Sequence, residues 1–234
     1  MKLAIIPARG GSKRIPRKNV KPFAGKPIIA YSIEAAKRCG LFDRVIVSTD
    51  DQEIGEMALS FGAEFPFIRP DELSGDYSST VAVIKHSVQW VNDHWGKVDH
   101  ACCIYATAPF VQPKYLREGY EKLVAAGKSF AFSVTSFPFP IQRAIRLNSE
   151  GCVEMFNPEH YLTRSQDLEE AYHDAGQFYW GTAAAFVEEI PIFSPQSVPV
   201  VLPRHLVQDI DTPEDWRRAE LMYHVLREEG EIAA

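Results

Sequence analysis

Short apolar runs alternate with helix-spaced segments from the N-terminus to Ser136, and this alternation leaves few folds open to the chain. The run "KLAIIPA" is apolar throughout and ends at a proline, as suits a strand of a parallel sheet buried on both faces. A helix is expected in "PIIAYSIEAAKRCG": Pro27 fits the first helical position, Ile29, Ile33 and Ala36 share a face, and Gly40 stands just past the end. "RVIVSTDD" reads as the second strand, and the helix "QEIGEMALSFG" follows it with Asp50 or Asp51 as cap and Gly62 as stop. "EFPFI" reads as a short third strand. Val81, Ile84, Val88, Val91 and Trp95 recur at helical spacing and lead through Gly96 into the strand "HACCIYA"; Pro113 opens another helix, and "SFAFSVTS" is the next strand. Strands separated by helices pack as a sheet covered on both faces, so the expected class is α/β with a mostly parallel, doubly wound sheet.

Between residues 137 and 180 the alternation stops. "FPFPIQ", a hairpin expected around "LNSEG" and the polar, aromatic run "NPEHYLTRSQDLEEAYHDAGQFYWG" read as a lobe inserted into one domain spanning 1–234. "VPVVL", "LVQDI" and a closing helix from Pro213 return the chain to its main body. Cys39, Cys102, Cys103 and Cys152 form no C-x-x-C pair and have no histidine at zinc spacing, so reduced thiols are expected. No apolar run approaches the roughly 18 residues of a membrane span, and the N-terminus enters a strand at once; a cytoplasmic location is the expectation.

The stretch "IPARGGSKRIPRKNVKPFAGKP", residues 6–27, holds seven cations (Arg9, Lys13, Arg14, Arg17, Lys18, Lys21, Lys26) and no acid, in a chain of net charge −6. The overall charge argues against nucleic acid or anionic membrane as a partner, because such binding needs a broad positive field. The cations are therefore a local device. They follow the first strand, where α/β sheets bind ligands, and Gly10 and Gly11 let backbone N–H groups approach an anion while Arg9, Ser12 and Lys18 add directed donors. A polyphosphate fits. Neither G-x-G-x-x-G nor G-x-x-x-x-G-K-[ST] can be written on residues 1–30, which excludes the dinucleotide and P-loop patterns.

"QDIDTPEDW", residues 208–216, supplies the opposite charge: Asp209 and Asp211, two apart in an extended segment, point to one side and suit Mg²⁺ bridging phosphates. The same residues also read as an ordinary capped helix start, with Thr212, Pro213 and Asp215.

Together, "IPARGGSKRIPRKN" and "QDIDTPEDW" resemble the CMP-sialic acid synthetase family of nucleotidylyltransferases over nearly the whole chain, and "YATAPF", "SVTSFPFP" and "TRSQDLEEAYHDAGQFYWG" are most similar to its branch that uses pseudaminic acid. The resemblance implies a nucleotide-diphospho-sugar transferase type of fold, a homodimer whose inserted lobe reaches the partner, and Mg²⁺-dependent transfer of CMP from CTP to an acidic nine-carbon sugar. Carried over by position, Ala8, Arg9, Gly10, Ser12, Lys18 and Asn19 would hold the triphosphate, Arg69 and Thr80 would lie along cytosine and ribose, and Asp209 and Asp211 would hold the metal. Arg9, Lys18 and Asp211 would carry catalysis.

In the sugar half the chain departs from the sialic acid pattern. Q-P-T-S-P is replaced by Tyr105, Ala106, Thr107, Ala108 and Pro109; an R-Q pair becomes Arg164, Ser165 and Gln166; and N-G-x-x-Y becomes Ala175, Gly176, Gln177, Phe178 and Tyr179. The nucleotide half is intact, which favours a different acidic sugar over lost activity. Tyr105, Thr107, Arg143, Arg164, Gln166, Gln177 and Tyr179 are the expected sugar contacts, with Arg143 and Arg164 matched to the sugar carboxylate because arginine pairs with it bidentately. Sialic acid, legionaminic acid and Kdo are the alternative acceptors, and a silent nucleotide sensor or a nucleic-acid-binding module the alternative classes.

Overall fold

The apolar runs pair as predicted, and the helices between them cover both faces of the resulting sheet. The computed structural model describes residues 1–75 and 78–232. In chain order the elements are β1 (Lys2–Pro7), the two-residue strands β2 (Pro22–Phe23) and β3 (Lys26–Pro27), α1 (Ile28–Cys39), β4 (Arg44–Ser48), α2 (Gln52–Ser60), α3 (Thr80–His94), β5 (His100–Ile104), α4 (Pro113–Ala126), β6 (Phe130–Ser136), β7 (Ile145–Leu147), β8 (Val153–Met155), β9 (Tyr172–Thr182), α5 (Ala183–Val187), β10 (Ser197–Val201) and α6 (Pro213–Glu228). The central sheet has the order β10-β6-β9-β5-β1-β4, parallel except for β9, which runs antiparallel to both of its neighbours.

Strand alternation sends successive side chains to opposite cores. Ala4 and Ile6 of β1 and Cys102 of β5 pack with Ile29 and Ile33 of α1, Ile54 of α2 and Leu116 of α4; Leu3, Ile5 and Cys103 pack on the other face with Ile84, Val88 and Val91 of α3 and Phe186 of α5. All four cysteines are free thiols. Among the described residues no helix is long and apolar enough to cross a membrane.

A third core joins the two ends of the chain. Phe23 makes edge-to-face contacts with Tyr31, Trp216 and Tyr223 at centroid distances of 5.6, 5.5 and 5.6 Å, and Lys21 Nζ sits 4.4 Å over the Trp216 ring. Ile15, Phe110, Leu206, Ile210 and Leu226 complete this cluster, which fastens α6 against the segment after β1.

Four details differ from the sequence reading. "EFPFI" makes only isolated bridges, Ile46 with Glu64 and Thr49 with Ile68, because Pro66 cannot donate to a ladder. "LVQDI" is no strand; it follows a 3-10 turn, Arg204–Leu206, and runs extended. Pro27 pairs with Pro22 in the small ribbon and precedes the first helical residue. The excursion from the sheet carries the expected hairpin, β7 with β8, but closes at Tyr172, so residues 172–180 of the expected lobe belong to the central strand β9. The polar start of β9 conceals it in the sequence, and its register with β6 shifts between Phe132 and Val134, a bulge.

Close packing across β9 leaves no room for a side chain at Gly181, where a Cβ would lie 2.6 Å from the Phe186 ring and 2.7 Å from the Phe130 ring. Gly181→Ala is expected to cost about 1–3 kcal/mol through overpacking, read as a fall of several degrees in the thermal midpoint; an unchanged midpoint would contradict the packing described here.

Candidate active site

β1 is flanked by β4 on one side and β5 on the other, and the chain passes from β1 to β4 before crossing back to β5. Such a switch in strand order opens a crevice beyond the carboxyl ends of the strands. A cleft of about 370 Å³ lies there, bordered by the loop after β1, the segment after β5 and the approach to α6.

Three carboxylates at the start of α2 hold the cationic loop. Gly10 N–H donates to Asp50 Oδ1 at 2.9 Å, and Arg69 Nη2 lies 3.4 Å from the same oxygen. A Cβ at Gly10 would come within 2.8 Å of Asp51 Oδ2, so glycine is needed here for close approach. Arg17, at φ +55°, pairs with Asp51 and, at 2.5 Å, with Glu53. Asp51 also caps α2 by accepting from Ile54 N–H at 3.1 Å. Asn19 is buried, and its Nδ2 donates to Arg9 O at 2.9 Å, which closes the turn.

The aspartates near the far end of the chain meet this loop. Lys18 Nζ lies 3.4 Å from Asp211 Oδ1 and donates to Ile210 O, while Arg14 Nη2 lies 2.9 Å from Asp211 Oδ2. The capped helix start is present too: Thr212 accepts from Asp215 N–H, and Asp215 reciprocates through the Thr212 amide at 2.9 Å. Asp211 therefore serves the cleft from a rigid helix entry.

Of the expected nucleotide residues, Arg9, Ser12, Lys18, Asn19, Arg69 and Thr80 border the cleft. Arg69 is only 3% exposed; burial works against its charge, and Asp50 offsets this. Ala8 and Gly10 do not border the cleft: Ala8 is buried with its N–H given to Ser48 O at 3.0 Å, and the Gly10 amide serves Asp50. The Gly10 amide is thus spent within the protein, and the side chains of Arg9, Ser12, Lys18 and Asn19 border the cleft.

A second cavity, of about 840 Å³, adjoins the first through Tyr105 and is bordered by Asp174, Tyr179, Arg204, Asp209 and Arg218. Tyr105 and Thr107 border the first cleft and Tyr179 the second cavity. Gln177 does not border either one; it is buried and ties β9 to the segment before the aspartates by donating to Leu206 O at 2.5 Å. Arg143, Arg164 and Gln166 stand on the lobe, away from both cavities of this chain, and Arg164, 70% exposed, makes a bidentate pair with Asp167 at 2.7 and 3.0 Å. Arg14, Asp174, Arg204 and Arg218 were not singled out as site residues by sequence; Arg14 lies inside the basic motif, and Arg204 and Arg218 flank the aspartate motif.

For a metal, the donors are two hard carboxylates. Asp211 borders the first cavity and Asp209 the second. Although Asp209 is exposed, the protein packed around it pushes its carboxyl above the usual range, and repulsion from Asp211 adds to this. Among the described residues no group of three or more His, Cys, Asp or Glu forms a ready-made metal cage. The set fits Mg²⁺, which takes one or two carboxylates and completes its shell with water and phosphate.

A profile described as "Cytidylyltransferase" matches residues 3–229. The chain belongs to the cytidylyltransferase family. Within the family it is 51% identical, over 97% of each chain, to the pseudaminic acid cytidylyltransferase of Campylobacter jejuni, and 31% identical, again over 97% of each, to the CMP-N,N'-diacetyllegionaminic acid synthase of Legionella pneumophila. Its fold matches that of a CMP:2-keto-3-deoxy-manno-octonic acid synthetase solved with CTP, at TM-score 0.68 and 17% identity over 95% of this chain and 98% of that one. This cytidylyltransferase is thus a nucleotidyltransferase with the α/β architecture that its strand pattern predicts.

The hydrogen bond from Arg17, above all, holds the Asp51 carboxyl below the usual carboxylate range. A lowered folded-state value contributes stability that is present above the unfolded pKa of about 3.9 and is lost as pH falls through the folded value. Arg17→Ala should therefore lower the thermal midpoint at pH 7 by more than in acid below the folded-state value, where Asp51 is protonated; equal shifts at both would rule out this coupling.

Proposed function

We propose that this cytidylyltransferase transfers CMP from CTP to the anomeric hydroxyl of pseudaminic acid and releases pyrophosphate. The observation that carries the reading is the meeting of Lys18 and Arg14 with Asp211 across one cleft, which brings together two segments more than 190 residues apart, Lys18 and Asp211, with |i−j| of 193. The choice of acceptor rests on the 51% identical Campylobacter jejuni relative, whose identity far exceeds the 31% of the legionaminic acid enzyme.

In this reading Arg9, Ser12 and Lys18 hold the triphosphate, and Arg69 and Thr80 lie beside the nucleoside. The sugar occupies the 840 Å³ cavity with its carboxylate toward Arg204 and Arg218. The anomeric oxygen bonds to the α-phosphorus as the bond to the bridging oxygen of the leaving pyrophosphate breaks, and the hydroxyl proton is lost. Arg9 and Lys18 neutralise the departing charge, so positioning and electrostatics do most of the work. Asp209 and Asp211 would hold Mg²⁺, which would supply polarisation of the phosphoryl oxygens.

We assign the lobe to a homodimer interface. Phe139, Ile145, Leu147, Val153, Phe156 and Leu162 are all exposed, with Phe139 at 79% and Leu162 at 87%, an apolar surface that a monomer rarely carries. A partner's lobe would bring Arg143, Arg164 and Gln166 toward the second cavity of its neighbour.

Incubation with CTP, Mg²⁺ and each of pseudaminic, legionaminic, sialic acid and Kdo, followed by pyrophosphate release, should show turnover fastest with pseudaminic acid. Lys18→Ala and Asp211→Ala should each lose about 10²- to 10³-fold in kcat; wild-type turnover in either would remove that residue from the mechanism. Leu162→Asp should convert the dimer to a monomer in light scattering, and a monomeric wild-type protein would sink the interface assignment.

A further inference from the structure

The bulge in β9 places an amide side chain inside the protein, behind the wall of the second cavity. Phe132 of β6 pairs with Tyr179 and Val134, two residues on, pairs with Asp174, so residues 175–178 stand out of the ladder. Bulges re-aim side chains, and Gly176, at φ +61°, lets the chain turn within this one. Gln177 follows. It is 4% exposed and borders neither cavity, although Gly176 and Tyr179 on either side of it border the larger one.

Three hydrogen bonds join this residue to three other segments. Tyr105, just past the end of β5, donates its N–H to Gln177 O at 2.9 Å; Gln177 N–H donates to the Ser133 hydroxyl of β6 at 3.3 Å; and Gln177 Nε2 donates to Leu206 O at 2.5 Å. A carbonyl oxygen only accepts, so the amide nitrogen is the end that faces Leu206. Tyr105 borders both cavities, and Arg204, His205, Val207 and Gln208, around Leu206, border the larger one. Gln177 therefore links two parts of the wall without reaching the space they enclose.

The turn at Arg204–Leu206 closes on itself, with Leu206 N–H given to Pro203 O at 3.0 Å and Val207 N–H to Arg204 O at 3.1 Å, and such local bonds do not fix where the turn sits against the sheet. Upstream, Leu202 is tied to β6 through Val134 O and the Thr135 hydroxyl, each at 2.8 Å; downstream, Ile210 O accepts from Lys18 Nζ. Between these anchors the side chain of Leu206 is buried in the aromatic core, a contact without direction. Arg204 reaches Phe137 O at 3.4 Å and His205 reaches Glu231 at 2.8 Å, both from exposed residues. The bond from Gln177 is buried and directional, so it sets the position of the turn along β9.

We propose that Gln177 is a positioning residue for the acceptor sugar: through Leu206 O it holds the turn so that Arg204 faces the sugar carboxylate. The inference rests on the CMP-transfer reading above, and Gln177 itself touches no substrate. An apolar side chain of the same length would fill the space but leave the buried Leu206 carbonyl without its donor. The carbonyl then turns toward another donor or toward water, and the turn carries Arg204 with it.

The test measures pyrophosphate release with CTP, Mg²⁺ and pseudaminic acid in wild type, Gln177→Met, Arg204→Ala and the double variant. Gln177→Met keeps the length and lacks the donor; it should raise the sugar KM by about 10- to 100-fold and leave CTP affinity in calorimetry within about twofold. In the Arg204→Ala background the same substitution should cost less than about threefold, because the group it positions is gone. Gln177→Asn, which keeps the amide but draws it back by one methylene, should shift the sugar KM in the same direction and serves if the methionine variant does not fold. An unchanged sugar KM in a folded Gln177 variant or in Arg204→Ala, a matching loss of CTP affinity, an undiminished loss in the double variant, or failure of both Gln177 variants to fold would overturn the positioning role while the reaction stands. A wild-type protein that binds CTP and turns over none of the nine-carbon acids would instead overturn the reaction, and the role with it.

Discussion

The packing of Phe23 against Tyr31, Trp216 and Tyr223 joins the two ends of the chain, and the cleft depends on that junction. The ion pairs that cross the cleft could not do this alone. Arg14 and Asp211 have side chains 66% and 37% exposed, and exposed pairs contribute about 0–1 kcal/mol at most. Burying one large apolar side chain is worth about 1.5–3 kcal/mol, with about 0.5–1.5 kcal/mol more for each edge-to-face aromatic pair. The aromatic cluster therefore brings residues 15–31 to α6, and the ion pairs then set the register between cations and carboxylates.

That division separates the charges that build the loop from those that border the cleft. The loop holds seven cations, and they do not share one role. Arg17 is committed to Asp51 and Glu53, Lys26 to Glu34 at 2.5 Å, and Lys21 covers Trp216. Arg9, Lys13, Arg14 and Lys18 border the cleft. Part of the motif thus builds the loop and the rest faces the cleft. The same economy holds for the acids: Asp50 and Asp51 hold the loop, whereas Asp209 and Asp211 face the cavities.

The first cleft was legible where its lining is contiguous in sequence: Arg9, Ser12, Lys18 and Asn19 follow one strand and border it, and of the two aspartates that precede one helix Asp211 borders it while Asp209 borders the second cavity. The second cavity is assembled differently. Its residues come from β9, from the turn at Arg204 and from α6, and no spacing in the sequence relates them. Gln177 illustrates the failure: an amide in a polar aromatic run reads as a ligand contact, but the fold spends it on Leu206 O. Asp174 is the converse case, since nothing in "AYHDAGQ" shows that a bulge will turn its carboxylate into a cavity.

By itself the sequence determined the class of fold, because helical and strand periods alternate so regularly that one parallel sheet covered on both faces is the arrangement that buries every apolar run. It also determined the charge of the first cleft, because the cations that border it are clustered within one loop. Only the tertiary structure decided that β9 enters the middle of the sheet antiparallel, that its bulge aims Asp174 and Tyr179 at a shared wall, and which cations of the loop face the cleft. These outcomes depend on pairings between segments far apart in the chain, and local periodicity carries no information about which distant strand will supply the partner.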